Sequence, residues 1–329
     1  MTVRALDPVI QPEHVDMLLR AGGLAPSLHN SQPWQFAVGS NHVEVYADAS
    51  RQLRDSDPTG RSLLISCGAA VFNLRVAIAH LGFHPRPRLM PDPNDPTLVA
   101  TIDVDKRQRA DLGRFYKALL ARRTNRRPFQ DRHLPQWVLA SLSEAARTEG
   151  AVLSVFDDPA EVARIVELLR DADIVERAQP SRIDERARWV GEEREETKAG
   201  IPSESLGPQP TRLGTPFRDL RPAGAPRDHA AFEIAPTLAV LSTTSDTPVD
   251  WVRAGQALER MLLEATAAGI SASFMNQPLE QDDLRWQVRN PLTGIGHAHM
   301  ILRLGYGRPV PAAPRRPVQE VRREPRFSR

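Results

Sequence analysis

Two stretches of this chain carry the same spacing of apolar and polar positions. Residues 68–82 read GAAVFNLRVAIAHLG and residues 255–269 read GQALERMLLEATAAG. Each opens and closes on Gly, with apolar side chains at i, i+3, i+4 and i+7 between, the spacing of a largely buried helix that stops at a C-terminal Gly. Their flanks match as well. Pro12–Gly22 and Pro135–Arg147 read as amphipathic helices that start on Pro, which suits a first helical turn. Strands are expected over Gln35–Val45 and Ala151–Phe156. After the first repeat come a loop and a strand in FHPRPRLMPDPNDPTLVATIDV. After the second come ISASFMNQPLEQDDLRWQV and the strand of HAHMILRLGYG. This pattern predicts two copies of one α+β unit, over residues 1–110 and 111–329, joined by a helix over Asp111–Arg122.

The pattern breaks between Glu176 and Ala231, where Pro, Gly and Arg accumulate. A helix containing Arg186–Thr197 is expected in this insertion. Long irregular segments inside a compact domain are most often lids or disordered, so residues 176–231 are expected to be a lid-like insertion or a disordered one. Residues 307–329 read as an extended basic tail.

Composition narrows the function classes. The chain has 329 residues, 41% hydrophobic and 26% charged, with net charge +2. Acidic and basic residues interleave, so no nucleic-acid footprint is expected. Lys106, Lys117 and Lys198 are its only lysines; Arg supplies the remaining basic charge. The single cysteine, Cys67, excludes an intramolecular disulfide and reads as core. No apolar run approaches a membrane span and residues 1–14 show no apolar signal core, so a cytoplasmic protein without a membrane partner is expected.

Candidate chemistry concentrates in two places. Arg122-Arg123-Thr124-Asn125-Arg126 puts three guanidiniums and a hydroxyl at a helix end, which suits a phosphate dianion or, on charge alone, a solvated basic surface. Ala25-Pro26-Ser27-Leu28-His29-Asn30-Ser31-Gln32-Pro33-Trp34 is a turn whose Ser27 and Asn30 could hydrogen-bond a flat heteroaromatic ring. His297 and His299 share a strand face without an accompanying carboxylate or thiolate, so packing roles and no metal are expected. Asp103 and Asp105 end a strand. Ser27 and His29 lack the partner acid of a nucleophilic pair.

Both segments resemble signatures of the FMN-dependent nitroreductase family. Ala25–Trp34 is similar to its Ala-Pro-Ser-x-x-Asn-x-Gln-Pro-Trp stretch. Arg122, Thr124 and Arg126 are similar to its Arg-x-Ser-x-Arg phosphate segment, with Thr for Ser and an extra Pro128 before Phe129. The family carries these segments in the opposite order and close together. There the flavin lies at a homodimer interface, one subunit supplying each segment. The resemblance, closest to the duplicated Acg-like branch, therefore implies a three-layer sandwich of helices around a mixed sheet, duplicated within one chain. It implies a monomeric pseudo-dimer with one FMN site and no catalytic side chain. The site residues it implies are Pro26, Ser27, Leu28, Asn30, Arg122, Arg123, Thr124, Arg126, Met275, Asn276, Arg315 and Arg316, with backbone N–H groups of Phe274–Gln277 near flavin N5. The implied activity is NAD(P)H-dependent reduction of a small nitroaromatic or quinone. The alternative is a flavin-sequestering protein whose lid prevents turnover.

Overall fold

The computed structural model describes all residues except 1–8, 107–109, 157, 192–195, 213–214, 216, 222–227, 289–295 and 327–329. In chain order the first half contains α1 (Pro12–Gly23), β1 (Trp34–Val38), β2 (His42–Ala47), α2 (Arg61–His80), β3 (His84–Leu89) and β4 (Leu98–Asp105). α3 (Tyr116–Ala121) joins it to α4 (Gln136–Thr148) and β5 (Val152–Phe156). Next come α5 (Pro159–Arg177), α6 (Pro180–Ala187), β6 (Gln209–Pro210) and β7 (His229–Ala230). β8 (Thr237–Thr243), α7 (Pro248–Ala267), β9 (Ser271–Phe274), α8 (Asp282–Arg285), β10 (His297–Gly305) and α9 (Val318–Val321) complete it.

Two four-stranded sheets have the same plan. The first is ordered β1-β2-β4-β3 and the second β5-β8-β10-β9. In both, the central helix falls between the second and third strand in chain order, and every neighbouring pair is antiparallel. Among the described residues, parallel pairing reaches these two sheets through single bridges, Phe36 with Arg322 and Thr124 with Ala272, while β6 and β7 form a separate parallel pair. Those bridges belong to reciprocal arms. The C-terminal tail crosses to the first half, where Arg323 N–H donates to the Phe36 carbonyl at 2.8 Å and Val318 and Val321 enter its core. The segment after α3 crosses to the second sheet, where Asn125 N–H donates to the Ala272 carbonyl at 2.9 Å.

α2 and α7 are both 20 residues long, and the eighth residue of each is Gly, at 68 and 255. The two helices cross where these glycines meet. A methyl group on Gly68 would overlap the Val252 carbonyl, and one on Gly255 would overlap the Ile65 carbonyl. The repeat in the sequence is thus a pair of core helices whose backbones touch. α2 is apolar enough to resemble a membrane span, but 89% of its most apolar window is buried inside the protein.

In the second half, alternation along β8 sends Ala239 and Leu241 to a core with α4 and α7. It sends Leu238 and Val240 to a second core with α5. That half is helix–sheet–helix. The outer face of the first sheet is covered more thinly, by Ala37, Tyr46 and Leu98, with Arg323 stacked 3.7 Å over the Tyr46 ring.

Three expectations change. Gln35–Val45 is a hairpin rather than one strand: the Gly39 N–H donates to the His42 carbonyl and turns the chain. The stretch after α2 is edge strand β3, where Pro85 and Pro87 are tolerated because one side of the strand needs no ladder donors. The helix expected over Arg186–Thr197 stops as α6 at Ala187, since Val190 instead bridges Ile201; residues 192–195 lie outside the described set. The joining helix expected over Asp111–Arg122 is α3 with the turn before it, and Phe115, Ala118 and Leu119 pack into the core of the first half.

Gly255→Ala should destabilise the protein by about 1–3 kcal/mol, because the added methyl must separate two packed helices. Gly23→Ala, with nothing near its missing side chain, should be neutral or slightly stabilising. Urea unfolding of both variants checks this, and equal midpoints would contradict it.

Candidate functional site

The loop before β1 is held in an unusual backbone conformation. His29, Asn30 and Gln32 have φ of 48°, 55° and 51°. Left-handed geometry costs a non-glycine residue on the order of 1 kcal/mol or more, so the surroundings must impose it. They do so with hydrogen bonds from three directions. Ser27 Oγ accepts from Gln32 N–H at 2.9 Å within the loop. The insertion supplies Gly200, whose carbonyl accepts from Asn30 Nδ2 at 2.9 Å, and Lys198, whose carbonyl accepts from Gln32 Nε2 at 2.8 Å. From the C-terminal tail, Pro314 accepts from Asn30 Nδ2 at 3.0 Å and Arg315 donates to Asn30 Oδ1 at 3.2 Å. Fully buried Trp34 anchors the loop's end. The Asn30 amide is therefore spent on bracing the loop and is not free for a ring.

Two adjoining clefts open beside this loop, taking in about 850 and 710 Å³ of space that is partly open solvent, both bordered by Pro26, Ser27, Arg126, Ile201 and Phe274. The smaller is ringed by Arg122, Arg123, Thr124, Arg126, Asn30 and Arg315. Four guanidiniums there meet one carboxylate: Glu259 lies 3.4 Å from Arg122 Nε and is completely buried. Arg122 also donates to the Leu24 carbonyl at 3.0 Å, and Arg126 to the Ser205 carbonyl at 3.1 Å. Burial lowers the pKa of both Arg126 and Arg315, with Arg218 adding to the effect on Arg126 and Arg122 on Arg315. Nε of Arg122 is buried against Glu259, and Nε of Arg315 is buried without a hydrogen bond among the described residues. This is a cationic, desolvated cup.

The larger cavity is mostly apolar, walled by Leu28, Ile65, Leu258, Met275, Leu279 and Met300 among others. Its floor includes the loop after β9. Met275 N–H is used on the Ile301 carbonyl, and Asn276 Oδ1 accepts from Ile301 N–H at 2.9 Å. Of this loop's N–H groups, those of Asn276 and Gln277 have no acceptor among the described residues.

The insertion closes one side. Ile201, Phe217, Arg218 and Leu220 line the larger cavity, and Ile201, Leu206, Leu220 and Val190 form a small core of their own. Arg218 grips Glu280 at 2.5 and 2.8 Å and lies 3.7 Å from Glu176. Gly207 presses its backbone on the Arg126 carbonyl, where a side chain would overlap. The expected lid is thus pinned to both halves of the chain.

Eleven of the twelve expected site residues border these cavities. Arg316 does not. Its guanidinium donates to the carbonyls of Gln32, Trp34 and Glu320 and approaches Asp48, so it fixes the tail instead.

The polar residues at the larger cavity that were not expected include His29, Arg61, Arg218, Glu280 and His299. A β-bulge between Ala298 and Met300 breaks the alternation of β10, so His299 is buried while His297 is half-exposed. Burial, with Arg285 and Arg61 nearby, holds His299 neutral with a pKa of about 3. Burial and the guanidiniums of Arg218, Arg186 and Arg126 likewise push His29 well below its usual value. Arg61 donates to the carbonyls of Ala298 and Leu279. Its one sequence signal is a cation at a helix N-terminus, where the dipole opposes it. Among the described residues no cluster of three or more potential metal ligands exists.

Residues 119–306 match the profile of the Nitroreductase family. Two proteins of Mycobacterium tuberculosis (strain ATCC 25618 / H37Rv) are similar over nearly their whole length. "Putative NAD(P)H nitroreductase Rv3131" is 30% identical over 94% of this chain and 91% of its own. "Putative NAD(P)H nitroreductase acg" is 30% identical over 96% of this chain and 97% of its own. Among solved structures, the FMN-dependent nitroreductase NfnB from Mycobacterium smegmatis in complex with NADPH is 22% identical, with a TM-score of 0.39. The match covers 67% of this chain and all of that one. The chain belongs to the Nitroreductase family.

Proposed function

We propose that the joined cavities hold one FMN and that the protein uses it to reduce a small planar acceptor, a nitroaromatic or a quinone, at the expense of NAD(P)H. The observation that carries this reading is the pairing of a four-guanidinium cup with an apolar cavity, both opening on Pro26–Ser27 and Phe274. A flavin mononucleotide has that polarity, an anionic end and a flat, mostly apolar one, and guanidiniums suit its phosphate oxygens as charge-assisted donors.

Bound FMN would supply the hydride chemistry. The chain's own residues do the rest. Arg122, Arg123, Arg126 and Arg315 hold the phosphate. The braced loop 27–32 sets one wall of the ring pocket, and Asn276 offers a spare N–H donor at another. His29 and His299 stay neutral and add no charge beside the ring. Ile201, Phe217 and Leu220 exclude water.

The cup draws Arg122–Arg126 from the junction of the halves and the braced loop from the first, while the ring pocket takes 273–276 from the second. We infer that the two halves are a fused pseudo-dimer with one working site, which removes the need for a second chain.

A second reading rests on the lid. Its ties to Glu280, Gly200–Asn30 and Arg126 hold it over the cavity from both sides, which favours a protein that sequesters flavin with little turnover.

Arg126→Ala should weaken FMN binding by about 1.5–3 kcal/mol, the range for a charged hydrogen bond, while folding loses only the bond to the Ser205 carbonyl, since Arg126 has no carboxylate partner among the described residues. Flavin fluorescence titration measures this, and unchanged affinity places the phosphate elsewhere. Anaerobic stopped-flow mixing of the holoprotein with NADPH separates the two readings. Bleaching of the flavin band within seconds supports the reductase. If only dithionite bleaches the wild type while Arg218→Ala, with its latch broken, responds to NADPH, the lid is the barrier.

A further inference from the structure

Glu259 stands beneath the cationic cup with no role in the reading so far. It lies on α7, is completely buried, and has its Oε1 3.4 Å from Arg122 Nε. Neither of its oxygens has a hydrogen bond of ideal geometry, and the Asn73 amide is its polar neighbour on α2. The charged groups facing it are Arg122 from the end of α3 and Arg315 from the C-terminal tail. A buried carboxylate usually persists because a cation compensates it. Here the compensating cations are two of the four that border the cup, so Glu259 and an incoming phosphate compete for the same guanidiniums.

We propose that Glu259 is a positioning residue for the phosphate site: it holds Arg122 and Arg315 in place while the cup is empty, and takes up a proton when a phosphate dianion binds. The inference rests on the reading of the cup as a phosphate site.

Without a counter-charge, two adjacent buried guanidiniums would repel, and Glu259 keeps them together. Once the dianion arrives, its oxygens draw the guanidinium charge outward. Glu259 is then a buried anion with less compensation beside additional negative charge, and both changes favour its neutral form. Burial already raises its pKa to about 7, against the pull of Arg122. The carboxyl therefore titrates where a modest further shift changes its charge.

The sign follows. Binding that takes up a proton weakens as pH rises through the range where the free site is ionised, above about 7. The phosphate monoester loses its second proton near pH 6, so affinity for the dianion rises with pH below that range. Phosphate-dependent affinity should trace a bell, and Glu259 should own its alkaline limb.

The test uses the full chain, titrated with FMN and with riboflavin, which lacks the phosphate, from pH 6 to 8.5. In the wild type the ratio of FMN to riboflavin affinity is expected to fall about tenfold between pH 7 and 8.5, the limit for one proton being tenfold per unit. In Glu259→Gln the ratio should stay within about twofold over the same range. An equal fall in the variant, or no fall in the wild type, overturns the proposal. Should the variant not fold, calorimetry of wild-type FMN binding at pH 7.5 in two buffers of different ionisation enthalpy counts the protons directly; uptake supports the proposal and none refutes it. Equal affinity for FMN and riboflavin at every pH would instead refute the phosphate reading of the cup.

Discussion

The structure depends on one contact without side chains, the crossing of α2 and α7 at Gly68 and Gly255. Close-packed interiors tolerate little change in volume. Where two helix backbones touch, even a methyl group is too large. The crossing fixes the distance between the two sheets, since each central helix packs on its own sheet with its remaining faces. The cavities then follow from that distance. Ile65 and Ser62 on α2 and Leu258 on α7 line the larger one, and Glu259, one residue further, lies under the smaller. A shift of these helices would therefore move the cup and the apolar pocket together.

The reciprocal arms make this arrangement cooperative. The tail beyond β10 reaches the first half through Arg315, Val318, Val321 and Arg323, and the segment beyond α3 reaches the second sheet through Asn125. Each arm also delivers guanidiniums to the cup. Binding charge there thus ties the ends of both halves to the strained loop at residues 29–32. The insertion and the tail hydrogen-bond to that loop and help hold its left-handed conformation. Its shape is a property of the whole fold rather than of its own ten residues.

Much of this was legible in the sequence, for identifiable reasons. The matched glycines at 68 and 255 and the apolar spacing after them marked the central helices, because helix period and Gly stops are local signals. Arg122–Arg126 and Pro26–Asn30 marked the cup and loop as chemistry-bearing. What could not be seen depends on tertiary context. The turn at Gly39–Asn41 carries a weak local signal, so a hairpin looked like one strand. The Pro-rich β3 looked like a loop because nothing local says it lies at an edge. His299 looked like packing until a bulge turned it toward the cavity. Arg316 resembled its neighbour Arg315, yet alternate residues of an extended tail point apart, and only Arg315 reaches the cup. Glu259 was hidden in the repeat itself: it occupies the position where α2 has Phe72, and a charge on a buried helix face has meaning only once Arg122 is placed opposite.

The central claim is that a single chain, folded as two similar halves, builds one flavin site. Native mass spectrometry of the purified protein with excess FMN tests it in one measurement, reporting oligomeric state and stoichiometry together. The account predicts a monomer that carries one FMN. Two FMN on one chain, or a dimer as the smallest species that retains flavin, would contradict it.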